Sequence, residues 1–413
     1  MSTRTGGAAP GRGEGGEGDT AREYVPPTRP GVACETPAVR ILHLVGRSHH
    51  RGAELVALEL AHELERFGHR SRLLAVGPGH EGGTEPDLPV LSGAARQHPV
   101  ALAGAAWRLR RSLGREPADV VLAHGGAALQ VAAVGGRGLP LVHQLIMGMP
   151  IHDRGRLWHL WWGRLLGRCA AVVSLTDALT DEVRTLGYRG PVELIANARS
   201  TARFDGLSRA DEAARLRAEL GLEPEVPLLG FVGHLVAQKR PDVAVEVADR
   251  LRTLGVDAHL VVVGGGPLAA DVAAQVQRLD LARRVSLLGH RPDVARVLAG
   301  VDLLLLPSDS EGMPGVAIEA QMAGCPVVAF PVGGVAEVVA TGESGLVLSD
   351  HDPGAMAEAV AKLLGDPERL VAMGSAARTR SEAFSMATAA ERYHRVLTAA
   401  VGPGAVGPHA VGP

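Results

Sequence analysis

The chain has 413 residues, too many for a single hydrophobic core, so two domains are the expectation. Hydrophobic residues make up 46% and charged residues 21%, the balance of a globular enzyme; a net charge of −3 with 3% aromatics excludes a basic or base-stacking surface for nucleic acid. Three scattered cysteines (Cys34, Cys169, Cys325) form neither a metal-ligand spacing nor an even disulfide framework, and no signal pattern or apolar run of about 18 residues occurs, which together predict a cytoplasmic chain.

Residues 1–37 are rich in Gly, Pro and charge and read as a disordered N-terminal segment. Order begins with an apolar strand at 39–45. The loop 46–52 leads into a helix over 53–67, so Gly52 stands at a helix N-terminus, where free amides and the helix dipole favour an anion. After a helix near 101–113, the run 119–123 (D-V-V-L-A) reads as a buried parallel strand, with His124 just past its C-terminal end. Ligands of open α/β sheets gather outside such ends. A strand at 140–147 precedes the segment R-L-W-H-L-W-W-G-R-L-L-G-R (156–168). Trp158, Trp161, Trp162 and Leu165 are expected on one helical face, as a core helix or as an apolar, basic-edged surface for an amphipathic or membrane-embedded acceptor. Residues 199–227 hold a charged helix and a Pro/Glu linker, the expected domain junction.

The second half opens with a strand at 228–232 and a loop carrying His234, Lys239 and Arg240, after which Pro241 and Asp242 start a helix. Lysine is rare here: only Lys239 and Lys362 occur among 42 basic residues, the rest being Arg. The run 260–269 fits G-x-G-x-x-A after a strand, with Gly266 in its turn. A dinucleotide-dehydrogenase reading is rejected because the next strand (285–288) ends in Gly289-His290-Arg291, with no ribose-binding acid. Next comes the stretch the chain is organised around, P-S-D-S-E-G-M-P-G-V-A-I-E-A-Q-M-A-G-C-P (307–326). A strand runs into a small polar loop, a helix begins near Pro314 and stops at Gly324, and a further strand follows. Glu311 in the loop and Glu319 about one turn into the helix flank an amide-lined anion site. Phosphate oxygens suit the amides and sugar hydroxyls suit the carboxylates, which describes a nucleotide sugar. Asp350-His351-Asp352 makes a formal D-x-D metal motif, but Asp352-Pro353 opens a helix, so N-capping is the preferred account and no metal is expected. A final helix spans 385–400 and carries Tyr393.

E-G-M-P-G-V-A-I-E-A followed by A-G-C-P-V-V-A resembles the E-x7-E signature of the retaining glycosyltransferases of family 4, which have the two-domain GT-B fold. The resemblance implies that Glu311 contacts the transferred sugar and Glu319 the ribose hydroxyls. It implies that the stretch Gly312, Met313, Pro314, Gly315 and Val316 holds sugar and diphosphate. R-G-A-E (51–54) is similar to the family's G-G-A-E, with Gly52 beside the donor phosphate. His124 matches a family His near the reacting sugar, although Ala123 stands where a first His is common. Lys239 matches the Lys of G-R-L-x-x-x-K, which neutralises the diphosphate; His234 stands at the Arg position, leaving Arg240 or a protonated His234 to compensate. Gly266 looks like part of the V-G-x-G-P turn, and Gly289 to Val294, with His290 and Arg291, looks like the loop that contacts the base. The family's P-N-G reads A-N-A at 196–198, which puts its turn geometry in doubt.

The expectation is therefore an α/β protein of GT-B type, two doubly wound Rossmann-like domains facing a central cleft. Residues 38–205 form the acceptor-side domain, 206–226 a linker, 227–384 the donor-binding domain, 385–401 a helix crossing back to the first domain, and 402–413 a disordered tail. The implied activity is retaining, metal-independent transfer of a hexose-type sugar from a nucleotide diphosphate sugar, without a cofactor, to a small-molecule, glycan or lipid acceptor. His124, Glu311 and Lys239 would be catalytic. Two alternatives are a GT-B nucleotide-sugar hydrolase or epimerase and a catalytically silent nucleotide-sugar-binding partner. Peripheral contact at the inner membrane face, through Trp158, Trp161 and Trp162, is the alternative to a purely cytoplasmic residence.

Overall fold

The computed structural model describes residues 38–48, 52–79, 88–94, 98–148 and 155–402. The expected N-terminal segment, residues 403–413 of the tail, Cys34 and Arg51 lie outside the described residues. Two six-stranded parallel sheets carry the fold. The first contains β1 (Arg40–Ser48), β2 (Arg70–Pro78), β3 (Val120–His124), β4 (Leu141–Leu145), β5 (Ala171–Ser174) and β6 (Val192–Leu194), in the order β2-β1-β3-β4-β5-β6. The second contains β7 (Leu228–Val232), β8 (His259–Val263), β9 (Val285–Gly289), β10 (Leu303–Leu306), β11 (Val327–Ala329) and β12 (Gly345–Val347), in the order β12-β11-β10-β7-β8-β9. Both are doubly wound. The chain reverses direction across the sheet between β1 and β3 in one and between β7 and β10 in the other, and a crevice opens at each reversal outside the strand ends. The strands read as unbroken runs of Val, Leu and Ile because helices cover both faces.

On the first sheet, α1 (Gly52–Leu64) and α14 (Met386–Val401) share one face. The other face carries α2 (Pro99–Arg115), α3 (Gly126–Gly135), α4 (Arg156–Leu166) and α5 (Asp177–Thr185). Helix α14 returns from the far end of the chain and buries Met386, Ala390, Tyr393 and Leu397 against Ile41, Leu60, Leu122 and Val142. Each such large side chain contributes roughly 1.5–3 kcal/mol. His69 Nε2 and His394 Nδ1, 2.8 Å apart, join β2's approach to the same helix.

On the second sheet, α7 (Pro241–Thr253), α8 (Ala269–Arg278) and α12 (Pro353–Leu364) close one face. The other is covered by α9 (Val294–Gly300), α10 (Gly315–Met322) and α11 (Val335–Val338). Helix α13 (Pro367–Ser381) packs on α10, and α6 (Arg209–Leu220) packs on α9, where Glu212 accepts from Arg296 at 2.9 Å and Arg217 pairs with Asp302 at 2.8 Å. Asp352 caps α12, its carboxylate accepting from the N–H groups of Gly354 (2.8 Å) and Ala355 (3.2 Å), as N-capping requires. One apolar cluster runs unbroken from the α2–α5 layer of the first sheet to the α9–α11 layer of the second, through Leu145, Leu175, Met313 and Ile318.

Candidate active site

The 307–314 loop leaves the C-terminal end of β10, and the 233–240 loop leaves the C-terminal end of β7. These strands are neighbours at the second sheet's switch point, so two segments about seventy residues apart in sequence meet there. The loops are zipped together. Gln238 Nε2 donates to Ser310 O at 2.7 Å, and Asp309 N donates to Gln238 O at 2.9 Å. At their centre Lys239 Nζ donates to both oxygens of Glu311, at 2.6 and 2.8 Å, while the Ser308 hydroxyl donates to Oε1 at 2.7 Å. The Glu311 side chain is only 6% exposed and that of Lys239 27%, so the carboxylate points into the protein and the ammonium stays wet. Helix α10 starts at Gly315 with Pro314 in its N-cap, one residue later than the sequence suggests; its first amides lack intrahelical acceptors.

Glu319, one turn into α10, is buried and faces the first sheet. Its Oε1 accepts from Arg199 Nε at 2.8 Å and lies 3.5 Å from Arg203 Nη2. Arg203 also pairs with Glu59 of α1 at 3.1 Å, and Glu59 Oε2 accepts from Ser200 N at 2.9 Å. Asn197 donates its amide to Met313 O at 2.8 Å. The segment after β6 therefore reaches across and grips the loop and helix of the second sheet. On the same seam Gly312 lies so close to the Ile146 carbonyl that a Cβ there would overlap it.

Other residues singled out in the sequence fall in three groups. Gly52 opens α1 and is exposed, with open space where a Cβ would stand, and Gly266 packs tightly against the Leu235 backbone in the β8–α8 turn. His234 Nδ1 lies 2.6 Å from Gly265 O, and His290 is exposed at the end of β9. Arg240 and Arg291 are both paired with carboxylates in this structure. Arg240 donates to Asp242 (3.1–3.2 Å) and Asp309 (3.1 Å), and Arg291 to Asp293 (2.8 Å) and Glu219; these hydrogen bonds raise the pKa of both guanidiniums.

His124 lies in the interior of the first sheet. It is the last residue of β3, only 2% exposed, and both ring nitrogens are engaged: Nδ1 lies 2.5 Å from Gln144 Oε1 and Nε2 lies 3.2 Å from His43 Nδ1. His43 Nε2 continues the chain to Ser71 Oγ at 3.3 Å, so a polar line crosses four strands. Burial pulls His124 down to about 4, and it stays neutral. In this arrangement it has no ring nitrogen to offer a substrate. The tryptophan face is also revised. Trp158 and Trp162 pack on the core with Leu165, whereas Trp161 (51% exposed) shares the opposite face with Leu157 and Leu160.

Two family models match the chain, "Glycosyltransferase Family 4" over residues 50–203, from α1 through β6, and "Glycosyl transferases group 1" over residues 212–380, which holds the second sheet. The chain belongs to family 4 of the glycosyltransferases. Among curated relatives of this family 4 chain, the D-inositol 3-phosphate glycosyltransferase of Nocardia farcinica is 37% identical over 44% of this chain and 43% of its own length. That of Thermobispora bispora is 31% identical over 58% and 59%. The matches span about half the length of these relatives. Solved GT-B structures superpose over most of the chain. HepE of Anabaena, in complex with UDP and glucose, has a TM-score of 0.75 at 21% identity, covering 87% of this chain and 99% of that one. WaaG, a glycosyltransferase involved in lipopolysaccharide biosynthesis, has a TM-score of 0.69 at 19% identity, covering 87% and 99%. Arg199, Arg203 and Asn197 are the site-lining residues that sequence reasoning missed; the one signal available was the departure from P-N-G at 196–198, which stands beside them.

Proposed function

We propose that this family 4 chain is a retaining glycosyltransferase that moves a hexose-type sugar from a nucleotide diphosphate sugar to a polyol-type, glycan or lipid acceptor without a metal. The observation that carries the proposal is the Lys239–Glu311 pair at the tip of α10, a cation and an acid beside unpaired helix amides at a switch point. Donor binding exchanges this pair for substrate. Lys239 Nζ turns to the diphosphate, Glu311 accepts from a sugar hydroxyl, and the α10 amides take phosphate oxygens. The bond between the anomeric carbon and the diphosphate oxygen then breaks with its electron pair on the leaving oxygen. The acceptor oxygen bonds to the same face, and its proton passes to the departing phosphate. Lys239 and the amides stabilise the charge that grows on the leaving group. The relatives' name supports a phosphorylated polyol among the acceptors to be tried.

A thermal-shift panel of UDP-, GDP-, ADP- and dTDP-sugars names the donor, followed by transfer assays with D-inositol 3-phosphate, free sugars and lipid acceptors. No shift with any nucleotide sugar would remove the reading. Release of nucleoside diphosphate and an epimerised sugar without acceptor would replace it by the hydrolase or epimerase.

Peripheral membrane contact is favoured by α4, whose outer face shows Leu157 (83% exposed), Leu160 and Trp161 between Arg156 and Arg164, with no acidic residue in the helix. No helix among the described residues is long and apolar enough to cross a membrane. Flotation with anionic liposomes tests this surface: Leu157→Ala/Trp161→Ala should stay in the soluble fraction while the parent floats, and equal flotation would discard it.

A further inference from the structure

Arg199 is the most thoroughly fixed charged side chain at the seam between the two sheets, and the reaction proposed above gives it no role. Its backbone is pinned from both sides. Arg199 N donates to Phe384 O at 3.0 Å and Met386 N donates to Arg199 O at 2.8 Å, so it is held by the strap that begins α14. Its side chain is buried. Nη1 donates to Asn197 Oδ1 (3.1 Å) and Ala198 O (2.8 Å), Nε donates to Glu319 Oε1 (2.8 Å), and the remaining nitrogen lies flat on Gly315, where a Cβ would overlap it. A guanidinium buried this deeply needs acceptors and a carboxylate beside it, and the acceptors of Nε and Nη1 come from two segments, 197–198 and α10. Arg203 lies on the same carboxylate oxygen at 3.5 Å. Glu319 is thus held by one oxygen, Oε1, through a single charge-assisted bond from a rigidly anchored guanidinium; the described hydrogen bonds leave Oε2 for other partners.

We propose that Arg199 is a positioning residue for the nucleotide. It sets the orientation of the Glu319 carboxylate so that Oε2 meets the ribose hydroxyls of the donor, and it does so from the opposite sheet, tying nucleotide recognition to the strap that starts α14. The proposal rests on the reading of Glu319 as a donor contact. Because the arginine acts through that carboxylate, its loss weakens binding of anything carrying ribose. Binding of a ligand that presents phosphate alone stays unchanged.

The test uses calorimetric titration of the full chain with UDP and with inorganic pyrophosphate, ADP, GDP and dTDP serving in place of UDP where the donor panel selects them. Arg199→Met and Arg199→Lys are compared with the parent, alone and in a Glu319→Ala background. The expected result for Arg199→Met is a loss of nucleotide affinity of about tenfold to a hundredfold, the worth of a mis-set charge-assisted hydrogen bond, with pyrophosphate affinity unchanged. Arg199→Lys keeps the charge and loses the anchored planar guanidinium, and should fall between the parent and Arg199→Met. In the Glu319→Ala background, neither change should weaken the nucleotide further. Should Arg199→Met fail to fold, the Arg199→Lys series carries the same comparison. Parental nucleotide affinity in both arginine variants overturns the proposal. So do additive losses, and so does a parallel loss for pyrophosphate, which would make Arg199 a direct phosphate contact. Unchanged nucleotide affinity in Glu319→Ala alone would instead remove the donor-contact reading on which the proposal stands.

Discussion

Exchanging Lys239 and Glu311, singly and together, separates the structural from the chemical role of the pair. Removing one member of a fully buried ion pair costs about 3–5 kcal/mol, because the other charge is left without a partner. Glu311 is buried enough for that penalty, but the 27% exposure of Lys239 lets water reach the gap, so Lys239→Met should cost about 1–3 kcal/mol. Glu311→Gln leaves an ammonium that water can solvate, and should cost about 1 kcal/mol or less. The double variant removes the stranded charge, and the new amide oxygen can still accept from Ser308, so stability should return to within about 1 kcal/mol of the parent. Turnover should behave differently. Without Lys239 the leaving diphosphate loses its cation, so kcat should fall about 10²-fold or more in the single variant and stay low in the double. Urea unfolding and steady-state transfer with the donor chosen by the panel read the two quantities independently. If Lys239→Met matched the parent in both, or if the double variant regained turnover along with stability, the pair would be a structural clasp and the proposed chemistry wrong.

The buried histidines make stability pH-dependent. His124 and His143, pulled down to about 4 by burial, take up protons in the unfolded chain below 6.5 but in the folded chain only near 4. Stability is therefore full above pH 6.5 and should fall by about 1.4 kcal/mol per pH unit per histidine, to about 3 kcal/mol each at pH 4; a flat urea profile between pH 7 and 5 would refute this. His124→Gln should lower the unfolding midpoint while leaving kcat within about threefold of the parent, and a 10²-fold loss at parental stability would return His124 to the chemistry. Gly312→Ala should cost about 1–3 kcal/mol by driving a Cβ into the Ile146 carbonyl, read as a lower urea midpoint; parental stability would mean the seam has slack. Dialysis against EDTA should leave transfer unchanged, and a loss restored by Mg²⁺ would overturn metal independence.

The cluster at the second sheet's switch point was legible because its parts are local. Glu311, the α10 start and Glu319 fall within one short stretch, and Lys239 joins them because both loops leave the C-terminal ends of adjacent strands. The carboxylate partners of two arginines were also within reach of the sequence. Arg240 and Arg291 each stand in the tripeptide Arg-Pro-Asp, and in both cases the Asp two residues on takes the fork. The tryptophans failed through phase. At 3.6 residues per turn, Trp158, Trp162 and Leu165 follow one stripe, while Trp161 falls with Leu157 and Leu160 on the other. Arg199 and Glu319 stand 120 residues apart on different sheets, and no periodicity links them.

His124 shows why the first sheet was harder to read. Side chains alternate along a strand, so Leu122 and His124 share a face and Ala123 points to the other. On a sheet with one wet face, that alternation would have told which residues meet water. Here helices cover both faces, every position of β3 is buried, and the sequence looks alike in either phase. What fixes the side of His124 is the partner strand, which sets Gln144 directly opposite, and the cover laid over Leu122 and Val142 by α14. That helix lies more than 250 residues further along the chain. A polar ring at a strand's end therefore reads as a cleft residue from local sequence, and becomes an interior one only through a long-range return of the chain. The same return, through the strap at 384–386, holds Arg199, so the helix that encloses His124 also sets the residue that reaches across to Glu319.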